Sequence, residues 1–427
     1  MKSNYKKLGQ FIQDVSVKNK NLNVELLLGV SITKRFIPSI ANTIGTDMSK
    51  YKIVKKDQFA YGPVTSRNGE KISIALLAED ECLVSTSYTV FEIVDKEQLD
   101  PEYLMMWFRR SEFDRYARYM SHGTVRELFG WEEMCDIELP IPCIEKQREI
   151  VREYNVVNNR IVLNEQLTQK LEDTAQAIYK HWFIDFNFPI SKEYAQSVSK
   201  PELEGQPYKS SGGKMVYCED LEREIPLQWS FGQFSQLIKI QNGYAFKSSE
   251  FSSVGTKYII KIKNIVPPII SLTGASSYNL ELNSKLDKYI VTSGETLISM
   301  TGSTANQMNS AVGQVGRYLL DDSSLMNQRV GKLVILEDWI SSEFCYQFIS
   351  DINTHLQLLS GSTGSANQAN ISPSQIEALE LVLPSTEVMA RYTEISIPVL
   401  KSLALLYKEN LKLEDLQDII NIRMSKG

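Results

Sequence analysis

Two polar stretches of the sequence carry side chains whose chemistry suits contact with a nucleic acid. One runs from Tyr61 to Lys71 and the other from Ser299 to Gln307. Both combine short hydroxyl residues and glycine, which let a backbone approach phosphates, with residues that make paired hydrogen bonds to base edges. The candidate contact residues are Tyr61, Thr65, Ser66, Arg67, Asn68, Lys71, Ser299, Thr301, Ser303, Asn306 and Gln307. Ordinary polar turns remain the alternative interpretation of both stretches.

A second pair of polar loops ranks next. The first of these runs from Ser121 to Arg126, and its counterpart runs from Gly361 to Gln368. Arg126 is the candidate contact residue of the first loop, since an arginine can pair with a phosphate or a guanine. The flexibility of serine and glycine explains both loops nearly as well.

The sequence contains no recognisable catalytic motif. It lacks the phosphate-binding pattern GxxxxGK[ST], because Gly213-Lys214 and Gly331-Lys332 have neither the preceding glycine nor the following Ser/Thr. The only Pro-Pro pair, Pro267-Pro268, is followed by Ile269 rather than by the aromatic residue of an adenine methyltransferase. We therefore expect no catalytic residue and no bound cofactor or metal in this chain.

The five cysteines are scattered, form no CxxC pair, and are accompanied by only three histidines. This usage predicts reduced thiols in a cytoplasmic protein and argues against a zinc site. No apolar run reaches about 18 residues and no basic segment precedes an apolar one, so we expect neither a membrane span nor a signal peptide. With 427 residues, 43% hydrophobic and 23% charged, the composition is typical of two or more globular domains.

The net charge of −6 hides a marked asymmetry. Residues 1–71 hold 13 Lys and Arg against 5 Asp and Glu, a balance of +8. Residues 236–335 hold 10 against 6, a balance of +4. Two positive regions in an acidic chain suit two separate contacts with an anionic partner, although solvated lysine faces are an equally good interpretation.

A long helix must lie between these regions. From Lys146 to Trp182 the apolar positions alternate at spacings of four and three, which is the a/d pattern of a coiled-coil seam. The seam residues are Ile150, Tyr154, Val157, Ile161, Asn164, Thr168, Leu171, Ala175, Ile178 and Trp182. At ~1.5 Å per residue this stretch makes a rod of roughly 55 Å, which needs a partner helix to bury its stripe. We interpret the aromatic residues at its end, Trp182 and Phe183, as packing residues.

The partner lies 242 positions further along the same chain. Lys170-Leu171-Glu172-Asp173 reappears there as Lys412-Leu413-Glu414-Asp415. The second seam consists of Tyr392, Ser396, Val399, Leu403, Leu406, Asn410, Leu413, Gln417, Ile420 and Met424. Asn164, Thr168 and Asn410 interrupt the two seams, and polar seam residues usually fix register at some cost in stability.

The repeat extends into the segments that precede the helices. Leu8-Gly9-Gln10-Phe11 is echoed by Phe231-Gly232-Gln233-Phe234, and Lys52-Ile53-Val54 by Tyr289-Ile290-Val291. Strands are expected at residues 52–54, 72–77, 88–94 and 331–336, and helices after Pro101 and Ser341. Identical frames with different loops suggest two related binding modules with different ligands.

These residues together resemble the specificity subunit of Type I restriction–modification systems. The resemblance covers essentially the whole chain and is most specific at residues 172–186, at residues 208–216 and at Glu224-Ile225-Pro226-Leu227-Gln228-Trp229. It implies an α+β fold: two mixed α/β target-recognition domains related by internal duplication, separated by two long antiparallel coiled-coil helices. The expected divisions are a first domain at 1–143, a spacer helix at 144–188, a linker strap at 189–226, a second domain at 227–385 and a second spacer helix at 386–427.

The resemblance also implies a function. Each domain would recognise one half of a bipartite site in double-stranded DNA, and the helices would set the spacing and recruit two modification subunits. Those subunits would bind S-adenosylmethionine and methylate adenine, and restriction and motor subunits would join them. The alternative is a non-enzymatic protein-binding scaffold with a coiled-coil spacer, which a weak salt dependence of binding would distinguish from a DNA reader.

Overall fold

The computed structural model describes residues 5–39, 46–66, 71–122, 127–247, 249, 251–252, 255–278, 285–303, 310–365 and 368–426. Contacts divide the chain into two units, residues 1–162 with 411–427 and residues 163–410. The two long helices contribute residues to both units, so these divisions do not coincide with the five segments expected from the sequence. Among the described residues, no helix is both long and apolar enough to cross a membrane.

The first unit begins as a mixed α/β domain. Its strands are β1 Tyr5–Lys7, β2 Ile12–Val15, β3 Leu28–Val30, β4 Phe36–Pro38, β5 Lys52–Lys55, β6 Phe59–Tyr61, β7 Ile74–Leu76, β8 Glu81–Val84, β9 Thr89–Ile93 and β10 Glu138–Pro140. Its helices are α1 Pro101–Arg109, α2 Ser111–Met120 and α3 Trp131–Cys135, followed by the long α4 Ile144–Tyr179. The strands expected near residues 52, 72 and 88 and the helix after Pro101 are confirmed.

An antiparallel sheet in the order β2-β9-β6-β7 forms the centre of this domain. Beside it, β5 pairs with β8 and β1 pairs with β10. Helix α1 starts where it does because the Asp100 carboxylate accepts from the backbone N–H groups of Glu102 and Tyr103, while Pro101 occupies a first-turn position. Its buried face, including Tyr103, Leu104 and Phe108, packs into the same core as Phe59 and Phe91.

The start of α4 and the end of the second long helix, α9 Thr386–Lys426, complete the first unit. Ile150, Tyr154 and Ile161 of α4 and Ile420 and Met424 of α9 belong to the domain's own hydrophobic core. The two helices run antiparallel here, since Glu153 pairs with Arg423 at 2.6 Å and Asn158 accepts from Gln417 at 3.5 Å.

The second unit contains more and shorter strands. They are β11 Met215–Cys218, β12 Arg223–Pro226, β13 Ser230–Gln233, β14 Ile238–Asn242, β15 Phe251–Ser252, β16 Lys257–Ile260, β17 Ile265–Val266, β18 Ile269–Ile270, β19 Ser276–Tyr278, β20 Ile290–Val291, β21 Thr296–Ser299, β22 Thr301–Gly302, β23 Val315–Arg317, β24 Ser324–Met326, β25 Val330–Ile335, β26 Thr363–Ser365, β27 Gln368–Asn370 and β28 Glu380–Leu383. Its shorter helices are α5 Lys192–Ser197, α6 Ser342–Ser350, α7 Ile352–Ser360 and α8 Pro373–Glu377. The strand near residue 331 and the helix after Ser341 are confirmed.

Two sheets build the second domain, in the orders β14-β25-β21-β23-β18-β17 and β15-β19-β16-β24-β20. The end of α4, which widens into a π-helical turn over Lys180–Ile184, packs against this domain through aromatic rings. Phe183 lies edge-on to Phe344 and to Tyr392, with ring centroids 4.7 and 4.9 Å apart. Trp182 and Phe183 are buried in the main core of the unit, which confirms that they are packing residues.

A buried ion-pair cluster also joins α4 to this domain. Arg317 on β23 is 1% exposed and donates from Nη1 to Glu343 of α6 at 2.7 Å. It contacts the carboxylate of Glu172 on α4 as well, and its guanidinium lies 4.0 Å from the centre of the Tyr346 ring. Burial raises the pKa of the Glu343 carboxyl, although Arg317 and Gln347 act in the opposite direction.

The frames of the two units have the same local pairing. In the first unit Ile53 pairs with Leu83, and in the second Ile290 pairs with Leu325. The central strands follow the same order, with β2-β9-β6-β7 in one unit and β14-β25-β21-β23 in the other. This agreement is what the matched segments 52–54 and 289–291 predict.

One matched segment is displaced, however. In the first unit the Leu8 N–H donates to the Ile137 carbonyl. In the second unit the equivalent donor to the Leu379 carbonyl is the N–H of Phe234, not that of Phe231. The short 3-10 turns Leu8–Gln10 and Phe234–Gln236 therefore occupy the same place. The echo at Phe231-Gly232-Gln233-Phe234 was wrong by three residues, because the strand register with residues 380–383 overrides the local similarity.

None of the twenty seam positions predicted from the heptad spacing is exposed. Four apolar seam residues are half-buried, namely Leu171, Ile178, Val399 and Leu413. The other apolar seam residues are buried. The segment from 189 to 226 packs against the second core through Ile190, Tyr208 and Ile225, and the hairpin β11-β12 lies within it.

Candidate nucleic-acid interface

The first polar stretch leaves the sheet at Tyr61, the last residue of β6. Tyr61 pairs with Ile74, and the backbone N–H of Gly62 donates to the carbonyl of Ser73 at 2.9 Å. A Cβ at Gly62 would lie 2.6 Å from the Ser73 hydroxyl oxygen, so the two chain segments approach closely here and a larger residue would displace that side chain. The stretch therefore starts from a rigid base.

The first arm of this stretch, residues 62–66, is joined to the second polar loop of the same unit. Two hydrogen bonds fix Thr65 in place. Its N–H donates to the Glu127 carbonyl at 3.0 Å, and its hydroxyl donates to Ser121 Oγ at 2.9 Å. Val64 forms an isolated β-bridge with Leu128. Two stretches that the sequence predicts separately are thus held side by side.

The returning arm of the stretch is the segment that leads from Lys71 back into β7. A buried ion pair holds it at Ile72. Asp114 Oδ1 accepts from the Ile72 N–H at 3.1 Å, and Lys34 Nζ donates to the Ile72 carbonyl at 2.7 Å and to Asp114 at 2.5 Å. We call Lys34 and Asp114 the Ile72 clamp, because they occupy both backbone polar groups of that residue. Burial lowers the pKa of Lys34, although the hydrogen bond and the charge of Asp114 act in the opposite direction.

The second unit holds its polar stretch in a similar way. Thr301 and Gly302 pair with Asn370 and Ala369 of β27, and the Thr301 hydroxyl donates to Asn370 Oδ1 at 2.9 Å. The hairpin β26-β27 belongs to the second polar loop of this unit, so here too the two predicted loops are paired. A Cβ at Gly302 would lie 2.3 Å from the backbone nitrogen of Val312, which requires glycine.

The structure separates the predicted contact residues into three groups. Tyr61, Thr65, Ser299 and Thr301 are 0%, 2%, 0% and 7% exposed, so in this conformation they support the loops from below. Ser66 and Lys71 are exposed and Ser303 is half-buried, and these three present polar atoms to solvent. Arg67, Asn68, Arg126, Asn306 and Gln307 lie outside the described residues, and their contacts with bases stay predictions.

Sequence reasoning missed the Ile72 clamp and one exposed turn. The clamp joins residues 80 positions apart, and no local pattern signals it. The turn is Asn327-Gln328-Arg329 between β24 and β25, whose Arg329 carbonyl accepts from the Met300 N–H at 3.0 Å. A Gln-Arg pair directly before a strand was the available signal, and it lies next to the base of the second polar stretch.

No cluster of three or more metal-binding side chains occurs among the residues that the structure describes. Burial raises the pKa of the Cys82 thiol to about 12, so this cysteine is protonated at neutral pH and a poor nucleophile. Burial also raises the pKa of Cys345.

Comparisons with known proteins agree with this picture. The family model for the Type I restriction modification DNA specificity domain matches residues 33–173 and 226–413. The HindI specificity subunit of Haemophilus influenzae is 23% identical over 417 residues, covering 88% of this chain and 87% of that protein. The MjaIX specificity subunit of Methanocaldococcus jannaschii is 20% identical over 346 residues, covering 79% and 71%.

The fold is also found among solved structures. The S subunit of a Type I restriction-modification system from M. genitalium superposes with a TM-score of 0.57 at 12% identity. The match covers 99% of this chain and 95% of that one.

Proposed function

Because the chain belongs to the Type I restriction modification DNA specificity family, we propose that it is the DNA-recognition subunit of a Type I restriction–modification complex. The observation that carries this proposal is the pairing of two polar loops on the same frame in both units. A protein-binding scaffold is not favoured, because relatives matched over most of their length are specificity subunits.

Each unit recognises one half of a bipartite target. The matching strand orders support an internal duplication, while the loop sequences differ, so the two half-sites differ as well. Ser66 and Lys71 face solvent in one unit and Ser303 in the other, and short hydroxyls and lysine suit phosphate contacts. The base contacts come from Arg67, Asn68, Asn306 and Gln307, whose side chains make paired hydrogen bonds to purines.

The two long helices act as a coiled-coil spacer and as a docking surface for two modification subunits. Helices of 36 and 41 residues, with no seam position exposed, support the spacer role. Val156 and Leu163 on α4 and Leu405 on α9 are exposed apolar side chains that a protein partner would cover.

The chemistry resides in the partner subunits. The modification subunits bind S-adenosylmethionine and methylate adenine, and the restriction and motor subunits cleave DNA in the cytoplasm. This chain contributes no catalytic residue and no cofactor site, and it supplies the target sequence. That division of labour rests on family membership.

The decisive experiment maps adenine methylation. The chain is produced with its modification subunit in a host without adenine methylation, and methylated adenines are located by sequencing. We expect methylation at one asymmetric bipartite sequence, and none when either protein is produced alone. Methylation that does not depend on this chain, or a purified chain that methylates or cleaves by itself, would overturn the proposal.

The same assay resolves the two half-sites. Arg67→Ala and Asn306→Ala lie in different units, so each should relax a different half of the target, by roughly 1–3 kcal/mol for a paired contact to a base. Relaxation of the same half by both variants contradicts the assignment of one unit to each half.

A further inference from the structure

The turn Asn327-Gln328-Arg329 is rigid although two of its side chains are exposed. The Val330 N–H donates to the Asn327 carbonyl at 2.9 Å, which closes the turn. The Asn327 N–H donates to Ile260 at 2.9 Å, so its entry is also fixed. A Cβ at Gly243 would lie 2.1 Å from the Asn327 carbonyl oxygen, which shows how closely the neighbouring segment packs against the turn.

Gln328 and Arg329 project from this turn without partners in the described part of the chain. Both are exposed, and neither side chain has a hydrogen bond or ion pair among the described residues. An arginine and a glutamine are the side chains that make paired hydrogen bonds to guanine and to adenine. A folded backbone that holds both in place lowers the conformational entropy lost on binding.

The turn lies directly beside the second polar stretch. The Arg329 carbonyl accepts from Met300, and the next residue, Thr301, begins the paired arm of that stretch. The backbone of this turn and the base of the second polar stretch are therefore direct neighbours.

The first unit has the same turn with different side chains. Ser85-Thr86-Ser87 links β8 to β9, and the Tyr88 N–H donates to the Ser85 carbonyl at 3.1 Å. The burial pattern is the same in both turns, with a half-buried first residue and two exposed ones. The backbone is thus common to the two units, and only the presented chemistry changes.

We propose that Gln328 and Arg329 are specificity-determining residues, which contact base edges in the half-site bound by the second unit. This inference rests on the proposed DNA-recognition function and adds a second recognition element to it. The turn at Thr86 and Ser87 occupies the equivalent position in the first unit. Small hydroxyls there give that half-site a different pattern of contacts.

The test replaces the two residues with those of the equivalent turn, as Gln328→Thr/Arg329→Ser. The complex of the variant with its modification subunit is assayed on DNA in which every base pair of both half-sites is varied in turn. We expect discrimination at one or two neighbouring base pairs of one half-site to fall by about 5- to 150-fold, which is the range for a paired contact. The other half-site should be unchanged.

A matched control removes the same two residue types elsewhere in the unit. Arg223→Ser/Gln228→Thr changes an exposed arginine and an exposed glutamine in the segment 223–228, and it should leave discrimination intact. Thermal unfolding of each variant tests whether the fold is retained. The reciprocal variant Thr86→Gln/Ser87→Arg should alter the opposite half-site.

Three results would overturn the inference. Unchanged discrimination means that the turn does not contact DNA, and an equal loss on every sequence means that Arg329 contacts only phosphate. If the Gln328→Thr/Arg329→Ser variant and the Thr86→Gln/Ser87→Arg variant relax the same half-site, the assignment of Gln328 and Arg329 to the second unit's half-site is contradicted. Failure of the wild-type complex to recognise any bipartite sequence instead refutes the proposed function, and that case is identified before a variant is made.

Discussion

Asn164 of the first long helix donates from Nδ2 to Oδ1 of Asn410 in the second, at 2.8 Å, inside the seam that the heptad pattern predicts. The same nitrogen lies 3.0 Å from Oε2 of Glu409. Asn164 is 2% exposed, so water cannot replace these partners. Asn410 is half-buried, and an amide pair of this kind in an apolar seam is satisfied in only one register, which links helix alignment to two residues.

Asn164→Leu alone should lower the free energy of unfolding by about 1–3 kcal/mol, because Asn410 then loses its buried donor. Asn164→Leu/Asn410→Leu should recover that loss, since two leucines restore an apolar seam. Urea unfolding of the three variants, including Asn410→Leu, measures the coupling. A single variant as stable as the double variant contradicts the pairing.

Arg317→Met should be among the most destabilising substitutions in the second unit, at about 3–5 kcal/mol, because it leaves Glu343 buried without its cation. Adding Glu343→Leu should return part of the loss. Lys408→Met is the matched control, since its partner Asp321 is exposed and surface pairs contribute less than about 1 kcal/mol. Equal losses for Arg317→Met and Lys408→Met would show that burial does not decide the cost.

The Ile72 clamp should matter for one half-site only. Asp114→Asn keeps an acceptor for the Ile72 N–H but removes the charge that faces Lys34, so the returning arm of the first polar stretch loosens. We expect weaker recognition of the first unit's half-site, measured by methylation of half-site variants, with the second half-site unaffected. Asp57→Asn, in an exposed pair with Lys96, is the control and should change neither.

Stability should fall above pH 10. Burial raises the pKa of Tyr103, Tyr179 and Tyr392, so above about pH 10 the unfolded chain releases phenolic protons that the folded chain retains. Stability then decreases with rising pH in that window. Burial also lowers the pKa of Lys34 and Lys261, and these two groups act with the opposite sign.

Tyr392→Phe isolates one contribution to this fall. The Tyr392 hydroxyl is buried and has no hydrogen-bond partner in the described part of the chain, so its removal should be neutral or stabilising by about 1 kcal/mol at pH 7. The decline of the unfolding free energy above pH 10 should also become shallower. Tyr119→Phe, at an exposed position, should leave the pH profile unchanged, and identical profiles for both variants would contradict the role of burial.

The spacer proposal predicts a change of half-site gap. Inserting one heptad after Val162 and one after Asn410 leaves the residues of both compact units intact and keeps the a/d phase. Each helix gains roughly 10 Å, which equals about three base pairs at ~3.4 Å per pair. We expect a longer preferred gap, or lost methylation with the fold retained, and a folded variant that still selects the original gap contradicts the spacer role.

Features that repeat along the chain were predictable from the sequence. Heptad spacing is a linear property of one helix, so all twenty seam positions could be named and none proved exposed. The polar loops could also be located at the ends of recognisable strands, but the burial of Thr65 and Thr301 in paired arms could not be predicted from the sequence.

Features that depend on contacts between distant residues could be identified only in the folded protein. The equivalence of Leu8 with Phe234 follows from strand pairing with a segment more than a hundred positions away, not from local letters. The Ile72 clamp and the position of Arg329 beside Met300 arise in the same way, since a buried ion pair or a turn against a loop requires the folded sheet. Local patterns specify which surface a residue occupies along its own element, whereas the neighbour it meets is set by how the elements pack.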